Sequence, residues 1–259
     1  MQELAERTYF RLCLTLGRLL RSSRYSKVRI SHQDHLDQVR KHRMFHAPLL
    51  VWLGGPLVRI LDTGVTVLSR RDWQERERLI YRSLRRRSTQ SDPDGTLVLP
   101  RLRGQTLATL LDDPALEKSI RTRAIELAVL ALAEFHRAGF THGDAMAENV
   151  MVDLRAGVAH WFDFETVHQP SRSLEWRRAD DVRALLATCL LRTTPAQFRD
   201  TLGVILDVYA DETVTRLLRS SFNPLQRPLA FHLGQAGLSI QQYREIGRLL
   251  NDRLGKRGE

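Results

Sequence analysis

The stretch Thr141-His142-Gly143-Asp144-Ala145-Met146-Ala147-Glu148-Asn149, followed shortly by Trp161-Phe162-Asp163-Phe164-Glu165, constrains this chain more than any other feature. Its first part has the form H-G-D-x-x-x-x-N. In that spacing a carboxylate and an amide share one loop, so Asp144 can accept the proton of an attacking hydroxyl while Asn149 offers its oxygen to Mg²⁺. Asp163 then supplies a second metal ligand. The fold must bring the two parts together, and two short strands over residues 149–153 and 158–162, turned at Arg155-Ala156-Gly157, would do so.

A chain of 259 residues can bury a sizeable core as one large domain or as two lobes sharing a cleft. The reading adopted is bilobal, with a small lobe over residues 1–100 and a larger helical one over 101–259. The formal net charge of +10 is carried by arginine, with only Lys27, Lys41, Lys118 and Lys256 among the lysines. Such a balance suits nucleic acid, anionic lipid or a phosphorylated sugar, although a simple bias of composition toward arginine explains it equally well. Cys13 and Cys189 form no C-x-x-C pair, which points to a reducing compartment and away from a metal–thiolate site. No run of 18 apolar residues occurs, and Glu3 and Glu6 argue against a secretory signal. The expected location is the cytoplasm, with a peripheral contact to an anionic inner-membrane surface as a further expectation.

Residues 1–21 have the leucine spacing of a helix, packed on the small lobe or laid on that anionic surface. A strand is expected over 25–30 and a second, polar helix over 33–43. Short apolar runs at 49–53 and 57–61, separated by Gly54-Gly55-Pro56, read as strands joined by a turn, and 64–68 as a third. There is no G-x-G-x-x-G. Gly54 and Gly55 are therefore candidates for a looser phosphate cover, with a plain strand connector as the alternative.

A helix over 72–86 carries Trp73, Ile80, Tyr81 and Leu84 on one face, and Glu77 falls on that same face. A carboxylate there is costly to bury unless a cation meets it. Arg59 on the neighbouring run is the expected partner, able to hold Glu77 and still face phosphate; Glu75 is the less suited alternative to Glu77. Beyond a turn at Asp92-Pro93-Asp94-Gly95 come a strand over 96–99, a connector at 101–104, and helices over 106–111 and 119–137. Further helices are expected over 180–191, 195–209, 212–220 and 239–254.

From Thr96 to Asp163 the order of parts resembles the protein-kinase-like superfamily. These parts are Leu97-Val98-Leu99, Gly104-Gln105-Thr106-Leu107, Leu132 to Gly139, His142-Gly143-Asp144 with Asn149, then Asp163. The short atypical branches are the most similar: aminoglycoside phosphotransferases, the Kdo and heptose kinases of lipopolysaccharide, and the small kinase of the tRNA-threonylcarbamoylation complex. The resemblance implies an α+β bilobal fold with a small, mostly antiparallel β lobe. It also implies ATP and Mg²⁺ as cofactors, Asp144 as base, Asn149 and Asp163 as Mg²⁺ ligands, His142 as a brace of the loop and Asp181 as its anchor. For Asp180 and Asp181 the favourable placement of acids at a helix N-terminus is an equally sufficient reading.

Two departures bear on function. Glu165 stands where that superfamily has glycine, which suggests a segment that stays put. The interval before the next helix, 166–178, is also too short for the regulated loop of a protein kinase. The implied activity is phosphorylation of a hydroxyl on a small-molecule, saccharide or glycolipid acceptor. The alternatives are a nucleotide-binding regulatory pseudokinase, prompted by Arg59 in place of lysine, by Glu165 and by the missing glycine loop, and a tRNA-associated kinase-like ATPase, prompted by the charge and the short segment.

Overall fold

The computed structural model describes Arg11 and residues 26–33, 36–43, 64–85, 89–92, 94–221 and 240–255. The expected N-terminal helix, the runs at 49–53 and 57–61, and with them Gly54, Gly55 and Arg59, lie outside the described residues.

The fold is mixed α+β, and every strand pairing described is antiparallel. Strands β1 (Ser26–Gln33), β2 (Leu36–Arg43), β4 (Gln90–Ser91) and β5 (Leu97–Pro100) form one sheet in the order β1-β2-β5-β4. Here the expectation of a polar helix over 33–43 fails, because Gln33 ends β1 and Leu36–Arg43 are extended as β2. Tertiary pairing overrides its polar composition: β2 lies between β1 and β5, and its polar side chains find partners. Arg40 pairs with Asp92, and His42 Nδ1 lies 3.1 Å from Thr96 Oγ1. Side chains alternate along a strand, so Lys41 is directed to the opposite face from these two. There it is buried.

Across that face lies α1 (Arg70–Arg85). Its Trp73 and Tyr81 form a small core with Leu97 and Leu99 of β5, while Ile80 joins the large core of the helical part. Helix α1 thus packs into both cores. Ahead of it, β3 (Val65–Val67) pairs with β9 (Thr166–His168), binding the segment just after Asp163 to the chain that enters α1.

The large core is built on α3 (Lys118–Arg137) and α4 (Leu174–Leu191), with α2 (Leu107–Asp112), α5 (Phe198–Tyr209), α6 (Glu212–Ser221) and α7 (Ile240–Gly255) around them. Thr106 caps α2 by accepting from the Thr109 amide at 3.1 Å. The third sheet runs β6 (Gln105–Thr106), β7 (Val150–Asp153), β8 (Val158–Trp161). The last two are the expected hairpin, and Gly157 takes φ +67° in its turn. Val150 and Val152 face inward, and the Trp161 indole N–H donates to the Ala128 carbonyl of α3 at 3.2 Å.

One boundary differs in a way that matters. Helix α4 begins at Leu174, capped by Ser173, not at Asp180. Asp180 and Asp181 therefore lie inside the helix and are buried, so placement at a helix N-terminus does not explain them.

Candidate active site

Two buried groups of charged side chains flank the loop 141–149. The first centres on Lys41, whose ammonium pairs with three carboxylates: Asp163 Oδ1, Glu165 Oε1 at 3.1 Å and Glu77 Oε1 at 3.4 Å. Glu77 is the carboxylate expected to need a cation. Among the described residues its cation is Lys41 on β2, in a stretch expected to be helical, whereas the expected partner Arg59 lies outside the described residues. A signal was present, since lysine is scarce in a chain that otherwise uses arginine.

Glu77 Oε1 also accepts from the Trp73 indole N–H at 3.2 Å and from the Phe164 amide at 3.4 Å. The Lys41 ammonium lies 5.1 Å from the centroid of the Trp73 ring, close enough for a cation–π contact. Burial pulls the Lys41 pKa down, but the charges of Asp163, Glu77 and Glu165 outweigh it and hold the pKa well above the ordinary lysine value. Partial burial pushes the Asp163 carboxyl up; Lys41 overcomes this and keeps it below its ordinary range. Both groups are charged at neutral pH.

Asp163 has φ +69°, a left-handed conformation that aspartate tolerates better than most side chains. Glu165 does not share that conformation, so its position makes no backbone demand for glycine. The Glu165 carbonyl accepts from the Leu68 amide at 2.8 Å, and the Gln169 amide donates to the Gly64 carbonyl at 2.8 Å, extending the β3–β9 pairing at both ends. The start of the segment after Asp163, residues 165–169, is thus paired with residues 64–68.

The second group lies beneath the loop. Asp181 accepts from the backbone amides of His142 at 2.6 Å and Gly143 at 2.8 Å, and His136 Nε2 approaches it at 2.9 Å. Asp181 therefore anchors the loop, and of the two acids it is the one that the resemblance selects. Asp180 meets His168 Nε2 at 3.2 Å and pairs with Arg183; His168 Nδ1 reaches Thr141 Oγ1 at 3.0 Å. Desolvation raises the Asp181 pKa, and His168 and His136 more than reverse that.

Gly143 cannot be replaced cheaply. It has φ +82°, and a Cβ there would lie 3.1 Å from the Val167 backbone. His142 is fully buried against Phe135, Trp161 and Phe164. Its Nε2 is 2.9 Å from the Phe162 carbonyl, and its Nδ1 accepts from the Asp144 amide at 3.3 Å, a pattern that one neutral tautomer satisfies. Burial lowers its pKa to about 4. It braces the loop, as expected, and carries no proton at neutral pH beyond that of the tautomer.

Asn149 donates from Nδ2 to both the Asp144 carbonyl and Asp144 Oδ2, each at 2.9 Å. These bonds fix the orientation of the Asp144 carboxylate and leave the amide oxygen of Asn149 as the atom suited to a cation. Arg76 and Arg85 of α1 donate to the carbonyls of Thr141 and Trp161, tying the helix that carries Glu77 to the loop and to the strand before Asp163.

The donor set fits a hard divalent cation. The Asp163 carboxylate already binds one cation, the Lys41 ammonium, and its side chain is 38% exposed, against 1% for Glu77 and 9% for Glu165. Buried Glu77 Oε2 has no hydrogen-bond partner. Among the described residues no three His, Cys, Asp or Glu side chains are grouped to hold a metal. Among the described residues, Asp163 and Asn149 are the side chains that could hold such a cation, with its remaining positions left to waters or phosphate oxygens.

No protein-family model and no curated protein matches this sequence. Among the described residues no helix is long and apolar enough to cross a membrane.

Proposed function

We propose that this chain is an ATP- and Mg²⁺-dependent phosphotransferase of kinase-like, bilobal build, acting on a hydroxyl of a small-molecule, saccharide or glycolipid acceptor. The observation that carries the reading is the meeting of Lys41, Glu77 and Asp163 in one buried cluster. These residues come from a strand, a helix and the post-hairpin turn, far apart in sequence, and local structure alone gives no reason for them to converge. In this reading the lobes divide near residue 100; β5 ends at Pro100.

In this reading Asp144 accepts the proton of the acceptor hydroxyl as its oxygen bonds to the γ-phosphorus and ADP leaves. Asn149 holds Asp144 Oδ2, so the base keeps one orientation. Asp181 holds the loop backbone, and His142, neutral at working pH, fills the space behind it. Lys41 is the cation available to the nucleotide phosphates, and Glu77 fixes its position. Asp163 and Asn149 would hold Mg²⁺, which supplies charge to the phosphate oxygens when bound.

The non-catalytic reading rests partly on the lack of a strand lysine, and Lys41 removes that ground. A nucleic-acid role rests on charge and the short segment after Asp163 alone. Asp144→Ala is expected to abolish ATP turnover with nucleotide binding retained. Turnover unchanged in this variant would refute Asp144 as the base.

A further inference from the structure

We propose that Thr188 and Arg192 of α4 form a second anchor of the loop 141–149, one that places Asn149 and so acts on the reaction through the metal that Asn149 would hold. The inference rests on the phosphotransferase reading and adds two positioning residues to it.

Asp181 holds the loop only at its start, through the amides of His142 and Gly143. Asn149 lies at the other end, in a single 3₁₀ turn, Ala147–Asn149, and Met146 ahead of it supplies no side-chain cap. The first amides of a helical turn have no partner within it, and so short a turn is weakly held by its own hydrogen bonds. The Ala147 amide finds its acceptor on another helix: Thr188 Oγ1, 3.0 Å away, with both residues fully buried. The Thr188 hydroxyl donates back to the carbonyls of Ala184 at 2.8 Å and Leu185 at 3.1 Å, so its oxygen faces the loop as an acceptor. One turn further on, Arg192 donates to the Thr188 carbonyl at 2.9 Å and to Glu148 Oε1 at 2.7 Å, and meets Asp112 Oδ1 of α2 at 3.2 Å. The two residues just ahead of Asn149 are thus each tied to α4. On the strand side the Phe162 amide holds the Asn149 carbonyl at 2.9 Å; Thr188 and Arg192 supply the hold on the loop side. Thr188 and Arg192 follow Asp181 by seven and eleven residues, whole numbers of turns to within about 20°, and so share its face of α4. That face grips the loop at two points about 10 Å apart along the helix, one before Asp144 and one after it. The separation of the base from the metal-binding amide is therefore set by a helix and not by the loop.

The test follows ATP turnover by the full chain against free Mg²⁺, at a fixed high ATP concentration and below every melting temperature, for the wild type, Thr188→Val, Thr188→Ser and Arg192→Gln. Leu202→Ala, on α5, weakens the same large core away from the loop and serves as the control. Valine keeps the shape of Thr188 and removes the acceptor. Thr188→Val is expected to need about tenfold more free Mg²⁺ for half-maximal turnover, the lower end for a side chain that orients a metal ligand. Arg192→Gln is expected to move the same way by about threefold, and it decides the matter if Thr188→Val does not fold. Thr188→Ser keeps the hydroxyl and is expected to match the wild type. Leu202→Ala is expected to melt earlier with its Mg²⁺ requirement unmoved. Wild-type turnover with an unchanged Mg²⁺ requirement in the folded Thr188 and Arg192 variants overturns this inference alone, as does an equal shift in Leu202→Ala. No Mg²⁺-dependent turnover by the wild type removes the phosphotransferase reading, and this inference with it.

Discussion

The two buried charged groups on either side of the loop 141–149 are built to opposite ends. Around Asp181 the loop amides and His136 satisfy both carboxylate oxygens; neighbouring Arg183 keeps Nε and Nη2 buried without a partner, and the group is closed to solvent. Around Lys41 three carboxylates outnumber one ammonium, Glu77 Oε2 has no partner, and Asp163 is open to solvent. A satisfied buried network specifies a backbone conformation; an unbalanced one stores the means to bind something of the missing charge. The loop takes its shape from the first and its chemistry from the second.

The contrast can be broken most severely at Asp181. Asp181→Ala leaves two loop amides and His136 without their acceptor, and is expected to cost about 3–5 kcal/mol of stability by chemical denaturation. Asp181→Asn keeps one oxygen and is expected to cost less. At the other group, Lys41→Met removes the ammonium that Glu77 and Glu165 share, so it is also expected to cost about 3–5 kcal/mol of stability, and the protein that still folds is expected to bind Mg²⁺–ATP more weakly. Unchanged Mg²⁺–ATP binding by folded Lys41→Met, with binding lost in folded Asp181→Ala, would invert the assignment of the two groups.

Gly143→Ala sharpens the comparison on a smaller scale. The strained φ and the approach to Val167 are expected to cost about 1–3 kcal/mol, read as a lowered melting temperature. A last effect, confined to acid pH, is on pH dependence. His142 titrates near 6.5 when unfolded and about 4 when folded. Its contribution is fully present above the unfolded value, and is lost as pH falls from about 6.5 to 4 because the unfolded chain binds the proton first. The slope from this one group approaches about 1.4 kcal/mol per pH unit, and His142→Asn is expected to flatten it.

The large helical part was legible because its signals are local. The apolar spacing of α3, the turn at Gly157 and the H-G-D-x-x-x-x-N pattern each carry their own constraint within a few residues. Asp144, Asn149, His142 and Asp181 follow from that pattern and its resemblance, and the structure brings all four together. Lys41 was missed for a reason of another kind. The strand β2 exists because β1 and β5 pair with it and because α1 covers Lys41, and none of that is written in the polar run from Leu36 to Arg43. Glu77 was visible as a buried carboxylate in search of a cation, but which cation depends on tertiary pairing. For Glu165 the sequence offered a departure from glycine, and the structure gave it a partner in Lys41.

The decisive measurement is the melting temperature of the full chain with and without ATP and Mg²⁺, for the wild type and Asp163→Ala. At about 100 times Kd, wild type is expected to gain about 2.7 kcal/mol of stability, seen as a clear upward shift that requires the metal. Asp163→Ala is expected to show no shift at the same concentrations. A wild type unmoved by any nucleotide, or a variant that shifts as far as the wild type does, would contradict the phosphotransferase reading.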